Sequence, residues 1–233
     1  MLADRGHETA EHRFLRSLDL EGRIVYEVGA FQGLLTLFFS GRARQVIAYE
    51  PNPASYRRVL ENLRLNGRTN VQVRNLAVGE RAGSLTLLCD SLMPGGASGD
   101  PVVAAQIRSS SPEAATIEVP VVSLDEDIAA AALPLPDVVK IDIEGMELPA
   151  LRGMKETLLH RRPALYLEMH GATTEHKKQN VRAIVEFLNG LGYETIVHVE
   201  TGEQVSVVNS ARAREGHLYC TFGRLAAAPS VSG

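Results

Sequence analysis

Four acidic residues, each set at the end of a short apolar run, are the groups in this sequence whose type and placement could do chemistry. Glu27 follows Ile24-Val25-Tyr26, Glu50 follows Val46-Ile47-Ala48-Tyr49, Asp142 follows Val138-Val139-Lys140-Ile141, and Glu168 follows Ala164-Leu165-Tyr166-Leu167. If the runs are parallel strands of an open α/β sheet, a ligand sits outside their carboxyl ends, where the strand order reverses, and the four acids gather there. Four carboxylates at one edge repel one another unless cationic groups, hydroxyls or a metal occupy the space between. Chance explains one such acid and hardly all four. Glu50 has a specific chemical use, because a carboxylate at the end of a second strand accepts both hydroxyls of a ribose.

The first acid opens a glycine-bearing turn, E-x-G-x-x-x-G, with Gly29 and Gly33 ahead of an apolar helical series. Gly29 permits a positive φ and a close approach of ligand to backbone. Gly33 would let the helix pack closely on the strand, and the free N–H groups of its first turn attract a carboxylate or phosphate. The spacing alone is a weak signal, and the dinucleotide fingerprint G-x-G-x-x-G is absent. His170 follows a strand-end acid and titrates near neutral pH, which makes it the candidate base; the competing reading is a hydrogen-bonded structural histidine. Asp142, Glu144 and Glu168 are oxygen ligands that could hold Mg2+, or Asp142 and Glu144 face a cofactor or cap the next helix. No residue is assigned as a metal ligand on this basis. Lys140, inside an apolar strand, needs an acidic partner. His7 and His12 have no cysteine or carboxylate at ligand spacing and read as solvent-facing.

These groups must be positioned by alternating strands and helices. A leading helical segment occupies residues 1–20, with Phe14, Leu15 and Leu18 on one face of a helix over 7–18. Residues 24–39 predict strand, tight turn and helix, and 45–49 a second strand, a βαβ unit that implies a parallel sheet and a right-handed crossover. Pro51-Asn52-Pro53 stops that strand, and a helix through Tyr56, Val59, Leu60 and Leu63 closes near Asn66-Gly67. Residues 71–73, 84–88 and 117–122 read as further strands. Ser123 caps a helix that Pro134 and Pro136 close. Strand 138–141 leads to a helix over about 147–160, then strand 164–167, then an amphipathic helix over about 174–191 with Val181, Ile184, Val185 and Leu188 inward. Strands 194–199 and 217–222, joined by a polar segment, end the sheet. Residues 90–116 are rich in Gly, Ser, Pro and Ala and read as an insertion, either a mobile surface loop or an active-site lid. Residues 225–233 read as a flexible tail.

With strands and acids placed, the chain resembles class I S-adenosylmethionine-dependent methyltransferases and, within them, the FkbM family. The matching segments are VYEVGAFQGLLT (25–36), VIAYEPNP (46–53), NLAVGERAGSLTL (75–87), VPVVSLDE (119–126), VVKIDIEGMELPALRGM (138–154) and ALYLEMH (164–170). The stretch K-I-D-I-E-G-M-E discriminates most. Glu27 stands where aspartate is common, and it keeps the charge. The resemblance implies an α/β, Rossmann-like fold: a seven-stranded, mostly parallel sheet of order 3-2-1-4-5-7-6, the seventh strand antiparallel, with helices on both faces. It implies S-adenosylmethionine as cofactor. Gly29, Ala30, Phe31 and Gly33 would line its methionine and ribose, Thr36 would sit near its carboxylate, and Glu50 would hold the ribose hydroxyls. Pro51 and Asn52 would lie beside the adenine, Asn75 and Ala77 at its edge, and Asp142 near the amino group, with Glu27 offsetting the cationic centres. His170, Asp142 and Glu168 form the candidate catalytic set.

Bulk properties narrow the function classes. A chain of 233 residues without repeat or linker fits one domain, and 45% hydrophobic with 22% charged residues excludes a disordered chain. A net charge of −4 gives no reason to expect nucleic acid or an anionic membrane as partner. No apolar stretch approaches the roughly 20 residues that span a bilayer. The first 14 residues hold acids and histidines where a signal peptide needs an apolar run. Cys89 and Cys220 read as free, buried thiols, which with the preceding points predicts a cytoplasmic protein. The expected activity is O-methylation of a hydroxyl on a small molecule, such as a sugar or secondary metabolite. The rival is a non-catalytic cofactor-binding module that serves a partner. An NAD-dependent oxidoreductase is disfavoured by the missing fingerprint. The leading helix is a candidate homodimer contact.

Overall fold

A computed structural model describes residues 8–89, 97–110 and 115–223. His7, the tail at 225–233 and residues 90–96 and 111–114 of the expected insertion lie outside the described residues. The first element, α1 (Ala10–Ser17), starts where Thr9 accepts a hydrogen bond from the His12 N–H. A fully buried strand β1 (Ile24–Val28) leads to α2 (Leu34–Ser40) and to β2 (Gln45–Tyr49). Asn52 caps α3 (Pro53–Leu65), whose first position is a proline with no N–H to leave unpaired. After β3 (Val71–Arg74) come β4 (Ala77–Val78), β5 (Gly83–Cys89), β6 (Ala97–Ser98), α4 (Pro101–Ser110) and β7 (Ala115–Val122). Ser123 then caps α5 (Leu124–Ala130). The second half runs β8 (Val138–Ile141), α6 (Glu147–Arg152), α7 (Lys155–His160), β9 (Ala164–Glu168), α8 (Thr174–Gly190), β10 (Thr195–His198), a 3-10 turn (Ser210–Ala213) and β11 (His217–Thr221).

The main sheet has the order β10-β11-β9-β8-β1-β2-β3. Counted within that sheet from its other edge, this is 3-2-1-4-5-7-6, with β11 antiparallel to both neighbours and the remaining pairs parallel. Val28 pairs with Tyr49 and Ile141, and Ile141 with Leu167, so Glu50, Asp142 and Glu168 emerge in one row. Glu27, in register with Ala48 and Lys140, sits two positions inside that row. The order reverses at β1 and β8, the place where α/β sheets bind ligands. Successive strand residues face opposite layers. Tyr26, Val28, Ile47, Ile141 and Leu165 pack with Val181, Ile184, Val185 and Leu188 of α8, while Val25, Val46, Val138 and Tyr166 pack under Leu15 and Phe39. Each of those α8 side chains contributes about 1.5–3 kcal/mol by leaving water.

The structure adds a second sheet to the expected one and revises three further expectations. A second sheet, β4-β7-β5-β6, is built on the antiparallel pair β5 and β7. The described part of the insertion is a short strand and a helix: the Asp100 carboxylate accepts from the Val102 and Val103 N–H groups, and Ser98 Oγ donates to the Glu144 carbonyl at 2.6 Å. It is therefore docked on the loop after β8 rather than open. The helix expected over 147–160 is two helices, because the Glu156 and Thr157 N–H groups donate to the Asp125 carboxylate and the Gly153 carbonyl accepts from the Asp125 N–H, which interrupts the helical ladder. At the other end, α1 buries Leu15 and stacks Phe14 on Tyr166 (5.8 Å), so the apolar face offered as a dimer contact is covered by its own sheet. Cys220 is a free, buried thiol, and the Cys89 side chain lies outside the described ones. Among the described residues no helix is long and apolar enough to cross a membrane.

Candidate active site

The first wall of the site is the turn between β1 and α2. Gly29 and Ala30 N–H both donate to the Tyr49 carbonyl, at 3.0 and 3.1 Å, which fastens the turn to β2. Gly29 has φ +89°, and a Cβ there would lie 1.9 Å from the Asp142 carbonyl oxygen, so only glycine fits. Phe31 adopts φ +50° and is 37% exposed; a non-glycine residue in the left-handed region is strain held at a site. Gly33, at φ +82°, brings α2 against Val59 of α3, not against the strand as the spacing suggested. Glu27 is buried and accepts from the Thr36 hydroxyl at 2.5 Å. Burial pushes its carboxyl up to about 7, against the pull of Lys140 and Thr36. Because the Thr36 hydroxyl is committed to Glu27, any part it plays toward a ligand runs through that carboxylate.

The second wall follows β2. Glu50 Oε2 accepts from the Phe31 N–H at 2.7 Å and Oε1 from the Asn52 N–H at 2.9 Å. Burial pushes this carboxyl up to about 7 although both amides favour its charge. Asn75 donates its amide to the Glu50 and Pro51 carbonyls, at 2.8 and 2.9 Å, and so clamps the loop that carries Glu50. Ala77 lies in β4, packed with Leu87 and Val119, its methyl spent on that apolar cluster.

The third wall belongs to β8 and β9. Lys140 is buried and donates to the Gly29 carbonyl and to Asp142 Oδ2, both at 3.0 Å. Burial works to lower its pKa, but Asp142 and Glu27 outweigh that and raise it, so it remains the fixed cation among the acids. His170 Nδ1 faces Glu147 Oε1 at 2.9 Å. Its Nε2 stands 3.7 Å from Asp142 Oδ1, 3.7 Å from Glu144 Oε2 and 3.6 Å from Glu168 Oε1. Burial would depress the imidazolium, yet Glu147, Glu168 and Glu144 push its pKa up to about 11. An imidazole held in that state carries its proton already, which argues against the base role expected of His170. Glu168 Oε2 lies 3.6 Å from His217 Nε2, and the two imidazoles hold its carboxyl below the ordinary range. The Mg2+ expected on Asp142, Glu144 and Glu168 is poorly matched by an imidazole in their midst, because Mg2+ takes oxygen ligands.

The structure thus brings Glu27, Gly29, Phe31, Glu50, Asn52, Asp142, Glu168 and His170 to one sheet edge, while Thr36, Asn75 and Ala77 stand behind it. Sequence reasoning passed over Glu147 and His217 as site residues. Glu147 lay in the discriminating segment and could have been noticed; His217, opposite Glu168 in the β9–β11 register, gave no local signal.

Comparison with known proteins fits this geometry. The family model described as Methyltransferase FkbM domain matches residues 27–195. Hexuronic acid methyltransferase AglP of Haloferax volcanii is 30% identical over 138 residues, which cover 59% of this chain and 52% of that protein. The chain therefore spans about half the length of this curated relative. Methyltransferase FkbM from Methylobacillus flagellatus superposes with a TM-score of 0.60 at 17% identity, over 92% of this chain and 48% of that one. Ribosomal protein L11 methylase from Lactobacillus delbrueckii subsp. bulgaricus gives 0.50 at 12% identity, over 92% and 76%. These likenesses place the fold among class I methyltransferase-like α/β structures.

Proposed function

The chain belongs to the FkbM methyltransferase family, and from that premise we propose that it moves a methyl group from S-adenosylmethionine to an oxygen of a sugar-type small molecule. The observation that carries the reading is the pair of buried carboxylates, Glu27 and Glu50, on adjacent strands beside the Gly29 turn. Both are pushed up to about 7 by burial, as anions are when the space before them holds too little positive charge. The sulfonium and ammonium groups of S-adenosylmethionine would supply it, and ribose hydroxyls suit the Glu50 carboxylate. The donor set therefore fits this cofactor.

When bound, the cofactor supplies an electrophilic methyl group on a sulfonium centre. The chain's part is positioning, which carries much of an in-line displacement. Glu50, locked by two backbone amides, presents a fixed carboxylate. Glu27 and Asp142 set a negative field beside the cationic centres, and Lys140 holds Asp142 in orientation through Oδ2. The acceptor would stand against Asp142, Glu144 and Glu168, whose side chains are each about one third exposed. There His170, gripped by Glu147, orients and stabilises charge, and the acceptor's hydroxyl proton would pass to one of these carboxylates as the C–S bond breaks and the C–O bond forms. The relative named for hexuronic acid points to an acceptor of the sugar class, whose hydroxyls can donate to that acidic wall.

Isothermal titration of the intact protein with S-adenosylmethionine and S-adenosylhomocysteine tests the cofactor. Saturable binding is expected, with at least a tenfold loss in Glu50→Ala, about the worth of a hydrogen bond to a charged group. Folded wild-type protein that binds neither compound sinks the reading. Transfer of labelled methyl to a panel of hexoses and uronic acids tests the acceptor class. Cofactor binding with no labelled product would favour the non-catalytic module.

A further inference from the structure

We propose that Asp142, Glu168 and His170 bind a divalent first-row transition-metal ion of the Mn2+ or Fe2+ class, and that this ion holds the acceptor through two of the acceptor's oxygens. The acceptor half rests on the proposed methyl transfer; the ion site does not.

Three observations converge. The ligand atoms of Asp142, Glu168 and His170 all lie within 4.8 Å of one another, and ligands at about 2.1 to 2.3 Å from one ion stand roughly 3 to 4.5 Å apart. His170 Nε2 is 3.6–3.7 Å from one oxygen of each of three carboxylates, too far for a hydrogen bond to any. It is shared among three carboxylates within ion-pair reach, and an ion bound there would displace the Nε2 proton to solvent. Lastly, each ligand is gripped from behind. Glu147, itself 1% exposed, takes His170 Nδ1 at 2.9 Å. Lys140 takes Asp142 Oδ2 at 3.0 Å, and His217 Nε2 stands 3.6 Å from Glu168 Oε2. In every case the other atom, Nε2, Oδ1 or Oε1, is left facing inward. A carboxylate or cation that fixes the outer side of each ligand is how proteins orient metal ligands. Lys140 and Glu147 are buried and cannot be surface pairs that happen to meet.

The donor set selects the ion. Two carboxylates with one imidazole suit Mn2+ or Fe2+ better than Mg2+ or Ca2+, which prefer oxygen alone. Three protein ligands leave open positions, and the exposed sides of Asp142 and Glu168 show where they lie. Without an ion the acidic wall repels an anionic acceptor. With one, the local charge logic is inverted, and a vicinal diol or the hydroxyl and carboxylate of a uronic acid can chelate. The same ion would polarise the acceptor oxygen as a Lewis acid.

The experiment is titration of chelator-stripped, full-length protein with Mn2+ alone, followed by electron paramagnetic resonance and calorimetry, with circular dichroism melts to establish folding of each variant. One equivalent bound by wild type, lost in His170→Ala and in Glu168→Gln, is the expected result. Glu147→Gln, which leaves the ligands in place, should loosen binding about 10- to 100-fold. Folded wild type with no saturable Mn2+ binding overturns the site, as does Mn2+ binding that survives both His170→Ala and Glu168→Gln. Mg2+ that displaces Mn2+ at equal concentration overturns the assignment of His170 as a ligand. Cofactor titration of the same samples separates the two readings: a protein that binds Mn2+ but no S-adenosylmethionine keeps the site and loses the proposed function.

Discussion

Glu27 is 1% exposed, and burial pushes its carboxyl up to about 7, so the folded, ligand-free protein holds a proton there more tightly than the unfolded chain does. The stability that follows is fully present below the ordinary carboxylate range and is lost as the pH rises through 7. Glu27→Gln removes the cost of ionising a buried acid, and the amide oxygen still accepts from Thr36. The ligand-free variant should be more stable than wild type at pH 8, by up to about 3 kcal/mol, with a margin in thermal melts that shrinks as the pH falls and closes only below the ordinary carboxylate range, while affinity for S-adenosylmethionine falls. A variant that melts below wild type at pH 8 would mean that Lys140 needs the charge more than burial opposes it. Gly29→Ala isolates a second effect. Its Cβ would strike the Asp142 carbonyl, whereas Gly22, at φ +70°, has nothing within 4 Å of its Cβ. Gly22→Ala should cost about 1–2 kcal/mol for left-handed backbone alone, and Gly29→Ala clearly more, as urea unfolding would read; equal costs would refute the close approach. These acids and Gly29 were legible because each closes a short apolar run. His217 was not, because nothing local says that it will pair across an antiparallel ladder with Glu168; Glu147 stood in the discriminating segment, but its reach to His170 had no local sign.

At the scale of elements, the loop from β2 to α3 is held by a residue outside it. Asn75 donates to the carbonyls of Glu50 and Pro51, just before β4, so the Glu50 carboxylate inherits its aim from the strand that follows β3. Asn75→Ala should lower stability by about 1–2 kcal/mol for the two bonds and weaken cofactor binding severalfold through a misdirected Glu50. Lowered stability with unchanged affinity, measured by melts and calorimetry on one preparation, would make Asn75 a purely structural clamp. The periodic elements, such as α8 with its inward Val181, Ile184, Val185 and Leu188, could be read from their spacing. The break after Gly153 could not, because the first N–H groups of α7 answer to the Asp125 carboxylate far away in sequence. Nor could α4: a stretch of Gly, Ser, Pro and Ala hides a helix that Asp100 caps and that Ser98 ties to the Glu144 loop.

For the whole molecule, the charges at the sheet edge predict where along the pH scale it is most stable. Glu27 and Glu50, both pushed up to about 7, favour the folded state on the acid side and lose that contribution as the pH climbs through 7. His217 is pushed up to about 9, its burial outweighed by Glu168 and Glu200, and its contribution fades as the pH passes 9. Glu168 and Glu200 act oppositely: their carboxyls are held low by the imidazoles, so their contribution is present above the ordinary carboxylate range and is lost as the pH falls below it. Together these place the ligand-free maximum near the ordinary carboxylate range, at about pH 4.5 to 5, with a decline through pH 7 and on toward pH 9. The cofactor should move that maximum, because a cation beside Glu27 and Glu50 removes the cost of ionising them. S-adenosylmethionine carries a sulfonium charge that S-adenosylhomocysteine lacks, so at saturation it should stabilise more at pH 8 than at pH 5.5, and by a wider margin than the homocysteine compound does. Calorimetric melts with chelator present, at both pH values and with each compound, would read the difference. Equal shifts from the two compounds would mean that the buried acids do not sense the sulfonium, and Glu27 and Asp142 would then have to be set apart from the methyl-bearing end of the cofactor.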